Sequence, residues 1–405
     1  MRAGEDGGGR GHARGARGDT ARSSAALKAA SDGTVDLARD ASEGGSYSGV
    51  DPFGLWWSAQ TATPQPPSLS PMVCDLLLSA DGQYAKHEVR RQWISPGVTV
   101  RPVAERGVLG LYARPAGGGP FPAVVALGGS SGGFGPAAQW APLLAARGIA
   151  TLTVAYFGAS GLPDQMVGIE IETVERAISW LLDRPEVGAE GVATIGISRG
   201  GELALLAGSL LDRIAGVAAL APSNIGWCGL NARGPVDAPA WTFRGEPLPY
   251  AMFGAQARAD AQPADATIVL RSACSASVED PMSVRHAEIP VERIDGPILL
   301  VSGEDDHFWP STAMAELVRR RAIERGFGHQ VTHLRYPGAG HQCAGVPGIP
   351  VPPSVQHPLT GRRYSFGGTL ATNSRARIDS WPQIVGFLRG TRSSGHASDA
   401  APRRI

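Results

Sequence analysis

Residues 191 to 208 constrain the fold more than any other stretch of this chain. A short apolar run, Gly191-Val-Ala-Thr-Ile195, leads into Gly196-Ile-Ser-Arg-Gly200, and an apolar helical stretch, Glu202-Leu-Ala-Leu-Leu-Ala-Gly208, follows at once. That order reads as strand, sharp turn and helix with Ser198 at the apex. The turn pushes the serine oxygen into the open, and the flanking glycines let the strand and helix backbones pass closely. The helix N-terminus contributes free N–H groups and a positive dipole end, which suit a developing oxyanion. Such a turn presents a nucleophilic serine.

The motif alone is weak, because the chain holds 54 glycines in 405 residues. Two more G-x-S-x-G matches, centred on Ser130 and Ser131, follow the apolar run Ala123 to Leu127. There Gly133, Phe134, Gly135 and Pro136 intervene before the next helical stretch, Ala137 to Arg147. A loose glycine loop makes a poor elbow. It is well suited to converging backbone N–H groups on a substrate oxygen.

A serine needs a base, and the base needs an orienting carboxylate. Two apolar strands downstream end in the required residue types. Pro297 to Ser302 runs into Gly303-Glu-Asp-Asp-His-Phe-Trp-Pro310, and Gln330 to Arg335 runs into Tyr336-Pro-Gly-Ala-Gly-His341. Both candidates therefore follow strands, in the chain order serine, carboxylate, histidine. The expected carboxylate is Asp306, with Asp305 as its rival, and the expected base is His341 ahead of His307, His329 and His333. The oxyanion donors expected are the Arg199 N–H and one from Gly129 or Ser130. The Arg199 side chain has two readings, contact with an anionic substrate group or a solvated helix start.

From about residue 106, strands and helices alternate: strands at 108–113, 123–127, 149–154, 192–196, 214–220, 297–302 and 330–335, helices at 137–147, 170–182, 314–324 and 378–388. This predicts an α/β fold with a mostly parallel sheet covered on both faces. Residues 222 to about 290 interrupt the alternation and carry Trp227, Trp241, Tyr250, Met252 and Phe253. They form either a cover with an acyl pocket or a packed surface excursion. Upstream, short segments at 26–30, 34–37, 72–78 and 85–93 lie between turn signals such as Asp32-Gly33 and Asp81-Gly82, which indicates a small antiparallel β domain. Residues 1–24 are Gly/Arg/Ala-rich without periodicity and read as a disordered leader.

Net charge is zero, which gives no footprint for nucleic acid or an acidic membrane surface. Cys74, Cys228, Cys274 and Cys343 lie far apart, without metal-ligand spacing, and read as reduced and buried. No metal or cofactor is expected. The N-terminus lacks the apolar core of a secretory signal, and no run reaches membrane-spanning length, so a cytoplasmic setting is the expectation.

Several stretches in combination resemble the acyl-CoA thioesterase and bile acid-CoA:amino acid N-acyltransferase family. They are Gly45-Ser-Tyr-Ser-Gly-Val-Asp-Pro-Phe-Gly-Leu-Trp-Trp-Ser58, Pro120 through Gly133, Leu152-Thr-Val-Ala-Tyr-Phe-Gly158, Gly196 to Ala204, Gly303 to Trp309 and Tyr336 to His341. The resemblance covers roughly residues 30 to 390. It implies an N-terminal β-sandwich before an α/β-hydrolase domain, with the family's triad on Ser198, Asp306 and His341. It also implies an acyl-CoA or related thioester as substrate. A serine nucleophile implies hydrolysis rather than transfer, since the amino-acid-transferring members use cysteine. Transfer to an amine or alcohol, ester hydrolysis and an inactive truncated relative are the alternatives. Only 44 residues precede Gly45, so the sandwich is expected to be shortened. The organisation expected is a leader at 1–24, a partial sandwich at 25–101, the catalytic domain at 102–392 and a disordered tail at 393–405.

Overall fold

A computed structural model of the chain describes residues 8–14, 20–59, 68–254, 263 and 265–391. The N-terminal region forms a five-stranded antiparallel sheet of β1 (Gly8–Arg14), β2 (Thr20–Leu27), β3 (Ser42–Gly45), β4 (Met72–Ala80) and β5 (Gln83–Arg91), in the order β3-β2-β1-β4-β5. Strands β4 and β5 meet through the two-residue turn Asp81-Gly82, both at positive φ (48° and 73°), which matches the right-handed twist of a hairpin. The outer strand β5 is largely exposed and carries Lys86, His87, Glu88 and Arg90, charges that blunt an open edge.

Two expectations change here. Gly8–Arg14 is a central strand paired with both β2 and β4, where the sequence suggested a disordered leader. Main-chain hydrogen bonds to two neighbours need no apolar side chains, so composition hides such a strand. Residues 20–24 of the expected leader belong to β2, and its other stretches, 1–7 and 15–19, with the expected tail, lie outside the described residues. Among the described residues no second sheet covers this one, and its apolar face packs on a short helix α1 (Gly54–Trp57) and on α8 (Leu370–Gly390). Leu27, Leu55 and Trp57 form its core with Leu370, Ala371 and Ile378.

The second sheet has eight strands: β6 (Thr99–Glu105), β7 (Val108–Arg114), β8 (Phe121–Leu127), β9 (Ala150–Ala155), β11 (Val187–Ile197), β12 (Ile214–Leu220), β18 (Ile298–Gly303) and β19 (Val331–Tyr336). Their spatial order is β6-β7-β9-β8-β11-β12-β18-β19. The first two pairings are antiparallel and the other five parallel. Sequentially numbered by position in this sheet, that is the order 1-2-4-3-5-6-7-8 of an α/β hydrolase. Because β6 joins this sheet, it starts at Thr99 rather than 102.

Helices cover both faces, so the central strands read as continuous apolar runs. Along β8, Val125 and Leu127 face α3 (Glu172–Leu182), α4 (Arg199–Leu210) and α7 (Ser311–Glu324), while Val124 and Ala126 face α2 (Ala137–Ala145) and α8. The excursion at 222–290 contains α5 (Arg271–Glu279), α6 (Pro281–Ala287) and the short strands β13 (Cys228–Asn231), β14 (Gly234–Pro239), β15 (Trp241–Phe243), β16 (Glu246–Pro247) and β17 (Thr267–Ile268). It is joined by β10 (Ile169–Glu170), β20 (Ser354–Gln356) and β21 (Arg363–Ser365) above the carboxyl ends of the sheet strands.

At the β11–α4 crossing the backbones touch. A Cβ on Gly200 would sit 2.2 Å from the Gly128 carbonyl oxygen and 2.5 Å from that of Leu127; one on Gly196 would sit 1.9 Å from the Gly200 oxygen. Backbone cannot move aside as a side chain can. Gly200→Ala is therefore expected to cost about 3 kcal/mol or more. Urea unfolding of the variant measures this, and an unchanged midpoint would show that the crossing has slack.

Candidate active site

Ser198 joins β11 to α4 with φ 58° and ψ −124°, a conformation that costs a non-glycine residue about 1–3 kcal/mol. Its N–H bonds to the Leu220 carbonyl at the end of β12, which anchors the turn to the neighbouring strand. The Arg199 N–H stands first in α4, where no intrahelical acceptor exists. Ser130 and Ser131 lie instead on the loop between β8 and α2, well short of the helix start at Ala137.

That loop passes beside the elbow. A Cβ on Gly129 would come within 3.3 Å of Ser198 Cβ and 3.8 Å of Ser198 Oγ. Tyr156 Oη donates to the carbonyl oxygens of Gly128 (2.6 Å) and Gly129 (3.3 Å), which fixes both peptide orientations. Among the described residues the N–H groups of Gly129 and Ser130 have no protein acceptor. The backbone at Gly129 and the first residue of α4, Arg199, thus both adjoin Ser198.

Asp306 follows β18 and His341 follows β19, so both stand with Ser198 at the carboxyl edge of the sheet. Asp306 Oδ2 lies 2.8 Å from His341 Nδ1, and both side chains are buried. Asp306 Oδ1 accepts the backbone N–H groups of Phe308 (2.8 Å) and Trp309 (3.2 Å), so each carboxylate oxygen has a fixed partner. The His341 ring packs against Phe308, Trp309 and Phe366. Its one side-chain hydrogen bond among the described residues is to Asp306, and none reaches Ser198 Oγ. Nucleophile–base contacts commonly tighten only when substrate binds. The rivals go elsewhere. Asp305 is half-exposed, and its oxygens meet His307 (3.1 Å) and the Gly368 N–H (3.0 Å). His307 also bonds Ser365, His333 bonds Ser302, and His329 pairs with Asp295.

The His341 loop is held from behind by α8. Asn373 Oδ1 accepts the Gly340 N–H at 2.7 Å, and Arg377 Nε donates to the Gln342 carbonyl at 2.8 Å. The His341 N–H donates to Phe366 O at 2.7 Å. Sequence reading missed these braces, since polar residues in a helix carry no signal of what they support.

Arg199 fits neither reading offered for it in full. Its side chain is 2% exposed, so it is not a solvated helix start. Nε lies 3.1 Å from Glu202 Oε2, and Nη2 donates to the carbonyls of Trp227 and Cys228, both at 3.1 Å. Glu202, fully buried, accepts the Trp227 N–H (2.9 Å) and Trp241 Nε1–H (2.6 Å). Burial pushes the Glu202 carboxyl upward, against the pull of the Arg199 cation. The pair ties the excursion at 222–290 to the helix that starts at the nucleophile. Removing one member strands the other charge, so Glu202→Gln is expected to lose about 3–5 kcal/mol of stability. Chemical denaturation of the variant checks this; a loss under about 1 kcal/mol would show that Arg199 finds other partners.

A small pocket, part of it open to solvent, borders the glycine loop at Ser130. Met166, Leu230, Phe253, Leu270 and Phe308 give it apolar walls; Ser130, Arg199 and His357 border it. The excursion is therefore a cover that contributes to a pocket. Ser130 Oγ is 3.0 Å from His357 Nε2, a contact across 227 residues that sequence reading did not anticipate. Burial pushes the His357 imidazole down to about 4. With an unfolded value near 6.5, the neutral ring's contribution is complete above about pH 6.5 and is lost as pH falls toward 4. Between pH 7.5 and 4.5 the wild type is expected to lose about 2–3 kcal/mol more stability than His357→Gln. Parallel pH–stability curves for the two proteins would contradict this.

Among the described residues no cluster of His, Cys, Asp or Glu is arranged to hold a metal, and no helix is long and apolar enough to cross a membrane. The four cysteines are buried and unpaired. Residues 169–392 match the model of the BAAT/acyl-CoA thioester hydrolase C-terminal region, and residues 11–105 match that of the acyl-CoA thioester hydrolase/BAAT N-terminal region. Acyl-coenzyme A thioesterase 1 of Mus musculus is 30% identical over 378 residues, covering 91% of this chain and 85% of its own. Peroxisomal succinyl-coenzyme A thioesterase of the same organism is 28% identical, with 93% and 88% covered, and its mitochondrial acyl-coenzyme A thioesterase 2 is 31% identical, with 91% and 79% covered. An α/β-hydrolase sheet, an elbow serine at its carboxyl edge and two matching regions along most of the chain make this protein a member of the acyl-CoA thioester hydrolase/BAAT family.

Proposed function

We propose that this protein hydrolyses acyl-CoA thioesters through an acyl-enzyme on Ser198. His341 Nε2 takes the proton from Ser198 Oγ as the oxygen attacks the thioester carbonyl. Asp306, bonded to Nδ1, holds the ring in the tautomer that leaves Nε2 free and stabilises the imidazolium that forms. The oxyanion is received by the N–H of Arg199 and that of Gly129 or Ser130. When the C–S bond breaks, His341 returns the proton to the departing thiolate sulfur. A water then takes the thiol's place, gives its proton to His341 and attacks the acyl carbon. The acid leaves as Ser198 recovers its proton.

The observation that carries the reading is the buried 2.8 Å Asp306–His341 pair at the strand ends beside the elbow serine. The named thioesterases among the relatives support the substrate class. The pocket's mostly apolar lining favours an apolar acyl group. A serine ester is also less prone to aminolysis than a thioester intermediate, which favours water as acceptor. A cytoplasmic setting belongs to the same proposal; relatives carry peroxisomal and mitochondrial names.

Thiol release from acyl-CoA esters of short to long chains tests the proposal. Wild type is expected to release CoA, with Ser198→Ala and His341→Ala slower by about 10⁴-fold or more and Asp306→Asn by about 10³–10⁴-fold. Undiminished release by Ser198→Ala would remove the serine from the mechanism. Acyl-amide formation in excess glycine, at the expense of free acid, would assign transfer instead.

A further inference from the structure

The mechanism above leaves one buried polar pair beside the nucleophile unused. Ser130 Oγ and His357 Nε2 are 3.0 Å apart, and both residues are buried, 8% and 6% exposed. Ser130 follows Gly129, whose backbone lies against Ser198. His357 is held by its own main chain, its N–H donating to Arg362 O and its carbonyl accepting from Gly361 N–H, with the Tyr364 ring edge-on at 5.7 Å. Its Nδ1 is buried without a partner. Among the described residues the ring therefore has one side-chain hydrogen bond, to the hydroxyl on the glycine loop beside Ser198.

We propose that the Ser130 hydroxyl is a third oxyanion donor and that His357 is the positioning residue that aims it. This rests on Ser198 as the nucleophile. A neutral imidazole has one N–H. Were it on Nδ1, a donor would be buried unsatisfied, and Ser130 would spend its hydrogen on Nε2. On Nε2, it donates to Ser130 Oγ, leaves Nδ1 as a bare acceptor and frees the Ser130 hydrogen. Buried orphan donors are rarer than under-satisfied acceptors among backbone groups, and the same cost favours the Nε2–H tautomer here. Burial keeps the ring neutral at working pH, which preserves this arrangement. The freed O–H then points its dipole at an oxygen that becomes charged only in the transition state. Such a bond accelerates acylation and deacylation without tightening substrate binding. No bond to Ser130 is made or broken; its proton stays on Oγ throughout.

The test uses the full chain with its best acyl-CoA substrate and the variants Ser130→Ala, His357→Phe, His357→Gln and the double Ser130→Ala/His357→Phe. Ser130→Ala is expected to lower kcat about 10²-fold with KM within about twofold. His357→Phe lowers kcat to a similar degree, and the double variant is no worse than Ser130→Ala alone. Gln places an N–H donor near the position of Nε2, so His357→Gln recovers most of the activity. Affinity for an acyl trifluoromethyl ketone, which forms an oxyanion adduct, falls in step with kcat, while affinity for an unreactive thioether analogue stays within about twofold. A wild-type kcat in Ser130→Ala overturns the proposal. So does a further large loss when His357→Phe is added to Ser130→Ala, since the ring would then act through packing. If His357→Phe does not fold, Ser130→Ala and His357→Gln with the two analogues still decide it. Full activity in Ser198→Ala would instead mark failure of the nucleophile assignment.

Discussion

Three backbones meet at Gly128, Gly196 and Gly200, and the site depends on how closely they do so. A carbon added at Gly196 or Gly200 would run into backbone there. This contact sets the angle at which β11 gives way to α4 and holds Ser198 in its strained, outward conformation. It also brings the glycine loop beside the serine, so one crossing positions the proposed nucleophile and the proposed oxyanion donors. Strain of this kind persists only where surrounding structure over-determines it. The Ser198 N–H bond to Leu220 and the Tyr156 bonds to Gly128 and Gly129 supply that restraint from either side.

A second restraint comes from the buried Arg199–Glu202 pair. Its Coulomb attraction is set against the desolvation of both charges, so it is weak evidence for stability by itself. Its geometry says more. Every strong bond the pair makes beyond itself goes to Trp227, Cys228 or Trp241 in the covering excursion. Trp227 in turn stacks on Phe253 and on Trp309, and Trp309 touches His341. The cover, the helix that starts after Ser198 and the His341 ring are thus parts of one packed unit.

Much of this was legible in the sequence wherever local pattern and global fold agree. The strands at β7, β8, β9, β12, β18 and β19 fall within a residue or two of their apolar runs. Where side chains do not report the environment, reading failed. Val35 and Leu37 suggested a strand, yet the segment is a turn closed by the Asp36 and Asp40 carboxylates on nearby N–H groups. Helix α8 begins eight residues before its apolar stripe, because its first turns carry a capping box and bracing polar residues. The sequence put Asp306 ahead of its neighbour Asp305, and the turn that offers the N–H groups of Phe308 and Trp309 to Asp306 alone is what separates the two in the fold. His357 had no local signature at all, since its meaning lies in Ser130, 227 residues away.

Helix α8 explains why an N-terminal sheet with no group in the site remains part of the machine. Leu370, Ala371 and Ile378 bury against that sheet. Asn373 and Arg377, on the same two turns, hold Gly340 and Gln342 on either side of His341. Trp381, Ile384 and Leu388 then root the helix in the large sheet. A shift of the N-terminal sheet would move the first turns of α8 and, with them, the loop that presents the base. Positioning errors of about 1 Å can cost two orders of magnitude in rate. The N-terminal sheet therefore bears on the proposed chemistry only through its apolar contact with one helix, and that contact serves folding and the placing of His341 together.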